Sequence, residues 1–552
     1  MNILSQPRVL PSGLTEAKFE EACDAVAAVI GDENVSRTHE YGSLEGPAGE
    51  KSYGDHYEMR GIGRNTPSGA FRPSSVEELQ AILKIANQYR LPLWVFSRGK
   101  NLGYGCTAGI VKGTVALDLH RMNKIIEVSE EYGYAIVEPG VSFFDLYEYI
   151  KKKKYKLWMS CPALGWGSPL GNTTERGFGY TPYGEHSQMQ CGLEVVLPNG
   201  EIVRSGMGAL EGSDMWPLFK GGFGPSIDGL FYQSNLGIVT KMGIHLQPAP
   251  HYFIDCTVWV PREDDLGPLT STMASLQRQG LLQSHAVTLN VLREVVGKGP
   301  SAAANFVPYW QQGKAVPDSV LIQAQKEHGL GYWKGCFAIY GTKAIAETTW
   351  SEIQKSFAHI EGVRFEGRSA CGKDHLVPLT PDEIPIFDPP TTGVPTMAPL
   401  PLMDIRGAPG AHTCFSPLFP TGGKELSEWF VRAKRMFVEA EVDFFADFHT
   451  WGRYTIAIVV MIFGPGMGPA VDKLYADLVA DAAATGHTEY RTHIDYMDNI
   501  AGHFNFNNGA QRQLLQSIKD ITDPKGILSQ GKSGLWNAGY SKVGAGRVNS
   551  SI

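Results

Sequence analysis

Tyr490 and Arg491 stand side by side in Glu489-Tyr490-Arg491-Thr492-His493, a phenol next to a permanently charged guanidinium. Arginine keeps its proton in proteins and donates in a fixed fork, so the pair suits a substrate oxygen that must become negative. Taken alone, the dipeptide fits a surface arginine beside a half-buried tyrosine better. Two glycine-rich segments bear on the choice. Ser97-Arg98-Gly99-Lys100-Asn101-Leu102-Gly103-Tyr104-Gly105 carries two cations, and backbone amides in such a turn can cradle phosphate while Arg98 and Lys100 add charge. A second stretch, 165–184, contains Gly171-Asn172 and leads into Glu185-His186. Two such loops can bracket one dinucleotide. Neither has the Rossmann glycine spacing and no P-loop occurs, so a conventional NAD or ATP site is disfavoured.

These segments need elements to hold them. An amphipathic helix is expected over 15–30, with Phe19, Cys23, Val26 and Ile30 on one stripe. A second is expected to begin at a capping box, Ser75 to Glu78, and to bury Leu79, Ile82, Leu83 and Ala86. The apolar run 91–96 reads as a buried strand that delivers the first glycine loop. Further strands are expected at 114–119, 125–128, 135–138 and 193–197. Helices and strands mixed without a repeat indicate an α+β architecture. In Asp443-Phe444-Phe445-Ala446-Asp447-Phe448 strict alternation would turn Phe444, Ala446 and Phe448 to the core and Asp443 and Asp447 away from it. Gln247-Pro248-Ala249-Pro250 reads as a hinge between domains, 377–409 as a long ordered loop over a site, and Asp523-Pro524-Lys525-Gly526-Ile527 as a tight turn after a helix.

At 552 residues the chain exceeds one core and should form at least two domains. Apolar content of 43% with 19% charged residues describes a soluble globular enzyme. A net charge of −8 argues against a nucleic-acid partner, and the one basic cluster, Lys151 to Lys154, reads as a solvated helix end. No uncharged apolar run reaches the roughly 18 residues of a membrane span. Residues 1–7 lack a charged-then-apolar leader, and the terminal Asn-Ser-Ser-Ile is not a peroxisomal address. The eight cysteines are scattered without a CxxC pair, so no metal site and no disulfide framework is expected, and a reducing cytoplasm fits.

Read from end to end, the chain resembles the flavoproteins of the vanillyl-alcohol oxidase and p-cresol methylhydroxylase family. The resemblance rests on Leu102-Gly103-Tyr104-Gly105, Leu170-Gly171-Asn172, Glu175 to Gly184 and Ser234-Asn235-Leu236-Gly237-Ile238-Val239-Thr240. It continues in Gly410-Ala411-His412, Phe415-Ser416-Pro417, Glu489 to His493 and Gly531-Lys532-Ser533-Gly534, all in the family's order. It implies a two-domain flavoprotein: an FAD-binding domain over 1–250 completed by 493–552, and a cap domain over 251–492. His412 matches the histidine to which the oxidases bond the flavin covalently, and His56 lies near one that helps the bond form. The same resemblance sets Arg98, Gly99, Lys100, Asn101, Leu102, Gly103 and Tyr104 against FAD. It adds Pro162, Leu164, Gly165, Gly171, Asn172 and Glu185, and from later segments Gly237, Ile238, Arg491 and Lys532.

Family members oxidise para-substituted phenols, and Tyr104, Tyr490 and Arg491 match the residues that bind the phenol oxygen. The chemistry explains the number of donors. Ionising a phenol with a pKa near 10 at pH 7 costs about 4 kcal/mol. A neutral hydrogen bond returns about 1 kcal/mol and a charge-assisted one roughly 1.5–3, so an arginine and two tyrosines together meet the cost. The resemblance then implies hydride loss from the benzylic carbon to leave a p-quinone methide. It also implies O2 as the oxidant, or alternatively a cytochrome-type acceptor, and a homodimer or higher homo-oligomer. The chain departs from the oxidase in one place: Ala163 replaces the aspartate that vanillyl-alcohol oxidase carries beside the flavin. Asp447, across the pocket, matches an acidic residue of the methylhydroxylase. The 395–409 segment also lacks the glutamate that relatives carry before the histidine.

Overall fold

The structure, a computed structural model, describes residues 9–11, 13–40, 52–61, 65–372, 377–384, 387 and 390–542. The leader expectation at 1–7 and the terminal tetrapeptide lie outside them. Helix α1 (Glu16–Ile30) buries Phe19, Cys23, Val26 and Ile30, and α2 (Val76–Tyr89) buries Leu79, Ile82, Leu83 and Ala86, both as the 3.6-residue period requires. At the start of α2 the Ser75 hydroxyl accepts from the Glu78 amide, but the Glu78 carboxylate accepts from the Ser74 amide rather than from Ser75. The cap is therefore shared between two serines instead of closing as a reciprocal box.

Both helices pack on a small sheet of β1 (Val35–Ser36), β2 (Ala70–Phe71), β3 (Leu93–Phe96) and β4 (Val115–Asp118), in the order β1-β2-β4-β3. A second sheet is antiparallel: β5 (Ile125–Ser129), β6 (Tyr134–Val137), β7 (Gln190–Val196), β8 (Ile202–Arg204) and β9 (Ile238–His245), ordered β5-β6-β9-β7-β8. Helix α3 (Phe143–Lys153) covers it through Phe143, Leu146 and Ile150, and its last turn carries the lysine cluster. The expected hinge forms a short ribbon, Gln247–Pro248 paired with Leu157–Trp158.

Beyond that ribbon lies an eight-stranded sheet. Its strands are β10 (Tyr252–Val260), β11 (Ala286–Asn290), β12 (Trp333–Gly341), β13 (Arg364–Cys371), β14 (Ala411–Phe415), β15 (Phe445–Thr450) and β16 (Tyr454–Phe463), with Leu418–Pro420 also pairing on β16. The order is β13-β10-β12-β11-β15-β16-β14, antiparallel throughout. Four helices, Leu266–Arg278, Lys343–Ser356, Lys424–Glu439 and Gly468–Ala484, share one large core with this sheet. The face bearing Val287, Leu289 and Cys336 packs on Tyr180 and Ala163 from the glycine-rich half.

Strand β15 is interior and covered on both sides, which overturns simple alternation. Phe445 is as buried as Ala446 and Phe448. Asp443, expected to face away from the core, is buried just before the strand. It accepts from Arg406 at 2.7 Å, Trp310 Nε1 at 2.9 Å and the Val316 amide at 2.9 Å. Alternation marks a solvent face only where one side of a sheet meets water.

The 377–409 segment has no strand or α-helix among its described residues, only short 3-10 turns at Pro381–Glu383 and Leu400–Asp404. It is tied to both halves: Trp158 Nε1 donates to Leu379 O, Tyr340 Oη to Thr391 O and the Gly165 amide to Thr396 O. The chain's last part returns to β3. The Leu93 amide donates to Ile527 O and the Ser529 amide to Leu93 O, each at 2.7 Å. Asp523 accepts from the amides of Ile527 and Leu528 and holds the turn that makes this possible. Among the described residues no helix is long and apolar enough to cross a membrane.

Candidate functional site

A cavity of about 370 Å³ runs between the two small sheets and the eight-stranded sheet. One wall is the turn after β3, and Arg98, Gly99, Lys100, Asn101, Leu102 and Tyr104 all reach the cavity. Gly103 stands behind the wall with φ +77°, where a Cβ would come within 2.8 Å of His412 O and 3.1 Å of its ring. Only glycine lets the loop approach β14 so closely, and Thr413 Oγ1 fixes the approach by donating to Gly103 O at 3.1 Å. Arg98 is braced rather than free, since its Nε donates to Trp166 O at 2.9 Å and its Nη1 to Gly140 O at 2.7 Å.

The opposite side holds Pro162, Leu164, Gly171, Asn172, Gly237 and Ile238, with Lys532 paired to Glu175 near the end formed by the returning chain. Gly165 and Glu185 lie off this wall. Gly165 is pressed against Pro395, and the Glu185 carboxylate interacts with Tyr454 and Gln188.

Tyr104, Tyr490 and Arg491 come together although 386 residues separate the first from the second. The Arg491 guanidinium carbon lies 4.2 Å from the Tyr104 ring centroid and 5.6 Å from that of Tyr490. Burial would lower the guanidinium pKa, but the tyrosines outweigh it and hold Arg491 firmly cationic. Burial pushes both phenols above their usual range, so they act as neutral donors. The segment is anchored from behind. Glu489 accepts from the Ser416 amide at 2.9 Å and from Tyr475 Oη, while Gln233 Nε2 donates to Tyr490 O at 2.8 Å. Arg491 Nε is buried without a protein partner.

His412 comes from β14 and lines the cavity. Burial lowers it to about 4, only partly offset by Asp55, so it is a neutral imidazole near pH 7, and its Nδ1 is buried without a partner. His56 is turned elsewhere, with Nε2 3.0 Å from Ser52 O. The groups behind His412 are instead Tyr57, edge-on at 5.3 Å between centroids, and a fully buried pair in which His493 Nε2 donates to Asp55 Oδ2 at 2.9 Å. Sequence reasoning gives neither Asp55 nor His493 a role, although both adjoin residues it singles out.

Asp447 faces the cavity from β15 with its side chain 20% accessible. Burial would raise its carboxyl, but His449 and Arg293 together hold it below the ordinary range, as a carboxylate. His449 Nε2 lies 3.3 Å from Asp447 Oδ1, and its Nδ1 is 3.1 Å from His285 Nε2. Two residues apart on one strand, Asp447 and His449 share a face, a signal available in the sequence. Ala163 lies on the cavity wall and carries no acid.

The cavity has features FAD requires: a glycine-rich loop on its wall, the cations Arg98, Lys100, Arg491 and Lys532 among its lining residues, and two buried polar atoms, Arg491 Nε and His412 Nδ1, that have no protein partner. Residues 67–206 match a family described as an FAD binding domain. The chain is 32% identical over 535 residues to the flavoprotein subunit of 4-cresol dehydrogenase (hydroxylating) from Pseudomonas putida, covering 96% of this chain and 98% of that protein. A 4-ethylphenol oxidase structure from Gulosibacter chungangensis, in complex with isoeugenol, superposes with a TM-score of 0.85 at 32% identity, over 96% of this chain and 100% of the other. Substrate-bound p-cresol methylhydroxylase gives the same TM-score and identity, over 96% and 99% of the two chains.

Proposed function

The chain belongs to the vanillyl-alcohol oxidase and p-cresol methylhydroxylase family of FAD-dependent oxidoreductases, and from that premise we propose that it oxidises para-substituted phenols. The observation that carries the reading is the clamp: one buried guanidinium between two buried phenols, on the wall of the cavity that suits FAD. Arg491 with Tyr104 and Tyr490 takes the substrate oxygen and stabilises its ionised form, offsetting about 4 kcal/mol of proton loss. Bound FAD supplies a two-electron hydride acceptor, held by the turn at 98–104, Gly171, Asn172, Gly237, Ile238 and Lys532. Loss of hydride from the benzylic carbon of the phenolate leaves a p-quinone methide. Water adds to it when Asp447 accepts the water's proton, and loss of a neighbouring C–H proton gives the alkene instead.

His412, kept neutral by burial, is the residue that bonds the flavin. The FAD-binding domain comprises 1–250 and 493–552 and the cap 251–492, a division supported by Gly237 and Lys532 on one side of the cavity and Asp447 on the other. The protein works in the cytoplasm as a homodimer or higher oligomer and is reoxidised by O2 to give H2O2. A second reading has support from two observations, the relative that is one subunit of a dehydrogenase and the Ala163/Asp447 arrangement. In it the same chemistry passes electrons to a cytochrome-type partner.

Anaerobic mixing with p-ethylphenol tests the function directly. The flavin should bleach, the methyl ether should leave it yellow, and Arg491→Leu should slow bleaching by about 10- to 150-fold. Bleaching by the ether at a similar rate would overturn the phenolate clamp. Peroxide formed in air separates oxidase from dehydrogenase. Yellow acid-precipitated protein that turns colourless in His412→Ala identifies the covalent link.

A further inference from the structure

The residues behind Asp447 extend this reading. His449 meets Asp447 with one ring nitrogen and His285 with the other. An ionised carboxylate only accepts hydrogen bonds, so His449 turns a protonated Nε2 toward it. His285 is a neutral ring whose Nδ1 has no partner, so its proton sits on Nε2 and is donated to His449 Nδ1. One tautomer of each ring satisfies the chain, and it runs in one direction, from His285 through His449 to Asp447.

Both rings are immobilised. His285 stacks on Trp451 with centroids 4.4 Å apart and interplanar angle 24°, and Phe178 lies 4.5 Å from the His449 ring. The side chain of His449 is 1% accessible and His285 3%, whereas Asp447 reaches the cavity. Burial and the neighbouring His449 drive His285 well below the ordinary histidine range, so His285 is a neutral ring. Among the described residues Asp447 has no other hydrogen-bonding side chain, so this pair holds its carboxylate by hydrogen bonding while Arg293 acts on it only by charge.

We propose that His449 and His285 are positioning residues that aim the Asp447 carboxylate at the water attacking the substrate-derived quinone methide, and so decide between alcohol and alkene. The step balances: the water oxygen bonds to the electrophilic carbon, the ring carbonyl returns to phenolate, and the water's proton goes to Asp447. The inference rests on the alkylphenol reading and concerns only the fate of the quinone methide after hydride loss.

The test uses the flavin-loaded enzyme with p-ethylphenol and reads two quantities: the rate of anaerobic flavin reduction and the ratio and enantiomers of alcohol to vinylphenol. His449→Phe should lower the alcohol-to-alkene ratio at least fivefold and erode enantiomeric excess, while flavin reduction changes less than threefold. His449→Gln, which keeps a donor near the Nε2 position, should stay within twofold of the parent ratio. His285→Phe should fall between them. In an Asp447→Ala background, His449→Phe should change the ratio no further, because a positioning residue has nothing left to aim. Should His449→Phe not fold, His285→Phe and His449→Gln carry the same comparison. An unchanged ratio in His285→Phe and His449→Phe, or an equal further change without Asp447, overturns the proposal while flavin reduction still supports the alkylphenol reading. Absence of any reduction by p-ethylphenol in the parent enzyme overturns both.

Discussion

Two aspartate–histidine pairs flank the same cavity and are built alike up to a point. In each, the histidine turns Nε2 toward a carboxylate and has Nδ1 met by an N–H donor. For His493 that donor is the Asp495 backbone amide at 3.2 Å, and for His449 it is the ring of His285 at 3.1 Å. The carboxylates differ more. Asp55 is sealed, with 0% side-chain accessibility, His493 at 2.9 Å on one oxygen and the Tyr57 amide at 3.0 Å on the other. Asp447 is 20% accessible, and its histidine is farther away at 3.3 Å. A carboxylate with both oxygens hydrogen-bonded and none open to the cavity can only hold a neighbour in place, here the region behind His412. One that keeps a free oxygen facing a cavity can take a proton from a reactant. Closure, more than residue type, separates scaffold from chemistry.

The largest effect should come from breaking the sealed pair. Asp55→Ala leaves the His493 N–H buried without an acceptor and should cost about 3–5 kcal/mol in chemical denaturation, with less flavin retained after acid precipitation. Wild-type stability in that variant would erase the difference between the two pairs.

Glu489 sharpens the comparison because it is buried like Asp55 but has no cation in direct contact. Burial raises it to about 7, although Thr492, Tyr475 and the Ser416 amide donate to it. The folded protein then holds this proton more tightly than the unfolded chain, whose ordinary value is 4.5. Its contribution is full below that value and is lost as pH rises through about 7, amounting to about 3 kcal/mol. Stability measured from pH 4.5 to 8 should decline by that amount, and Glu489→Gln should flatten the slope. An equal slope in the variant would place the titration elsewhere.

Asp447→Ala should have the smallest effect on stability, below about 1 kcal/mol, because it removes a partly accessible partner that lies 3.3 Å from the His449 ring. Its signature belongs to the products, with p-ethylphenol giving more vinylphenol and less of the S alcohol that the parent should form. A loss comparable to that of Asp55→Ala would show that both pairs are scaffold.

Much of the fold and site is legible in the chain, and the exceptions have physical causes. The stripes of α1 and α2 follow from helical period, and the strands near 91–96, 114–119 and 125–138 from apolar runs between turn residues. Alternation misplaces Asp443 because it presumes a wet face, whereas this residue is enclosed by Arg406, Trp310 and Val316. Strand period is enough to pair His449 with Asp447. It cannot supply His285, which arrives just ahead of a neighbouring strand, 164 residues away. His56 draws attention as a histidine in the expected neighbourhood, yet the ring behind His412 belongs to His493, brought there by long-range packing with Asp55. Glu185 and Gly165 are close in sequence to cavity residues, but local turns carry them off the wall.

The return of residues 527–529 to the edge of β3 has a consequence for biogenesis. Leu93 and Val95 bind that segment through Ile527 O, the Ser529 amide and Ser529 Oγ, and Lys532 on the cavity wall comes three residues later. During synthesis the glycine turn after β3 emerges early, but the strand edge beneath it waits for more than 400 further residues. The nascent chain therefore carries an unfinished flavin cavity until residues 527–532 have been made, so the cavity closes only after the whole intervening chain has been synthesised.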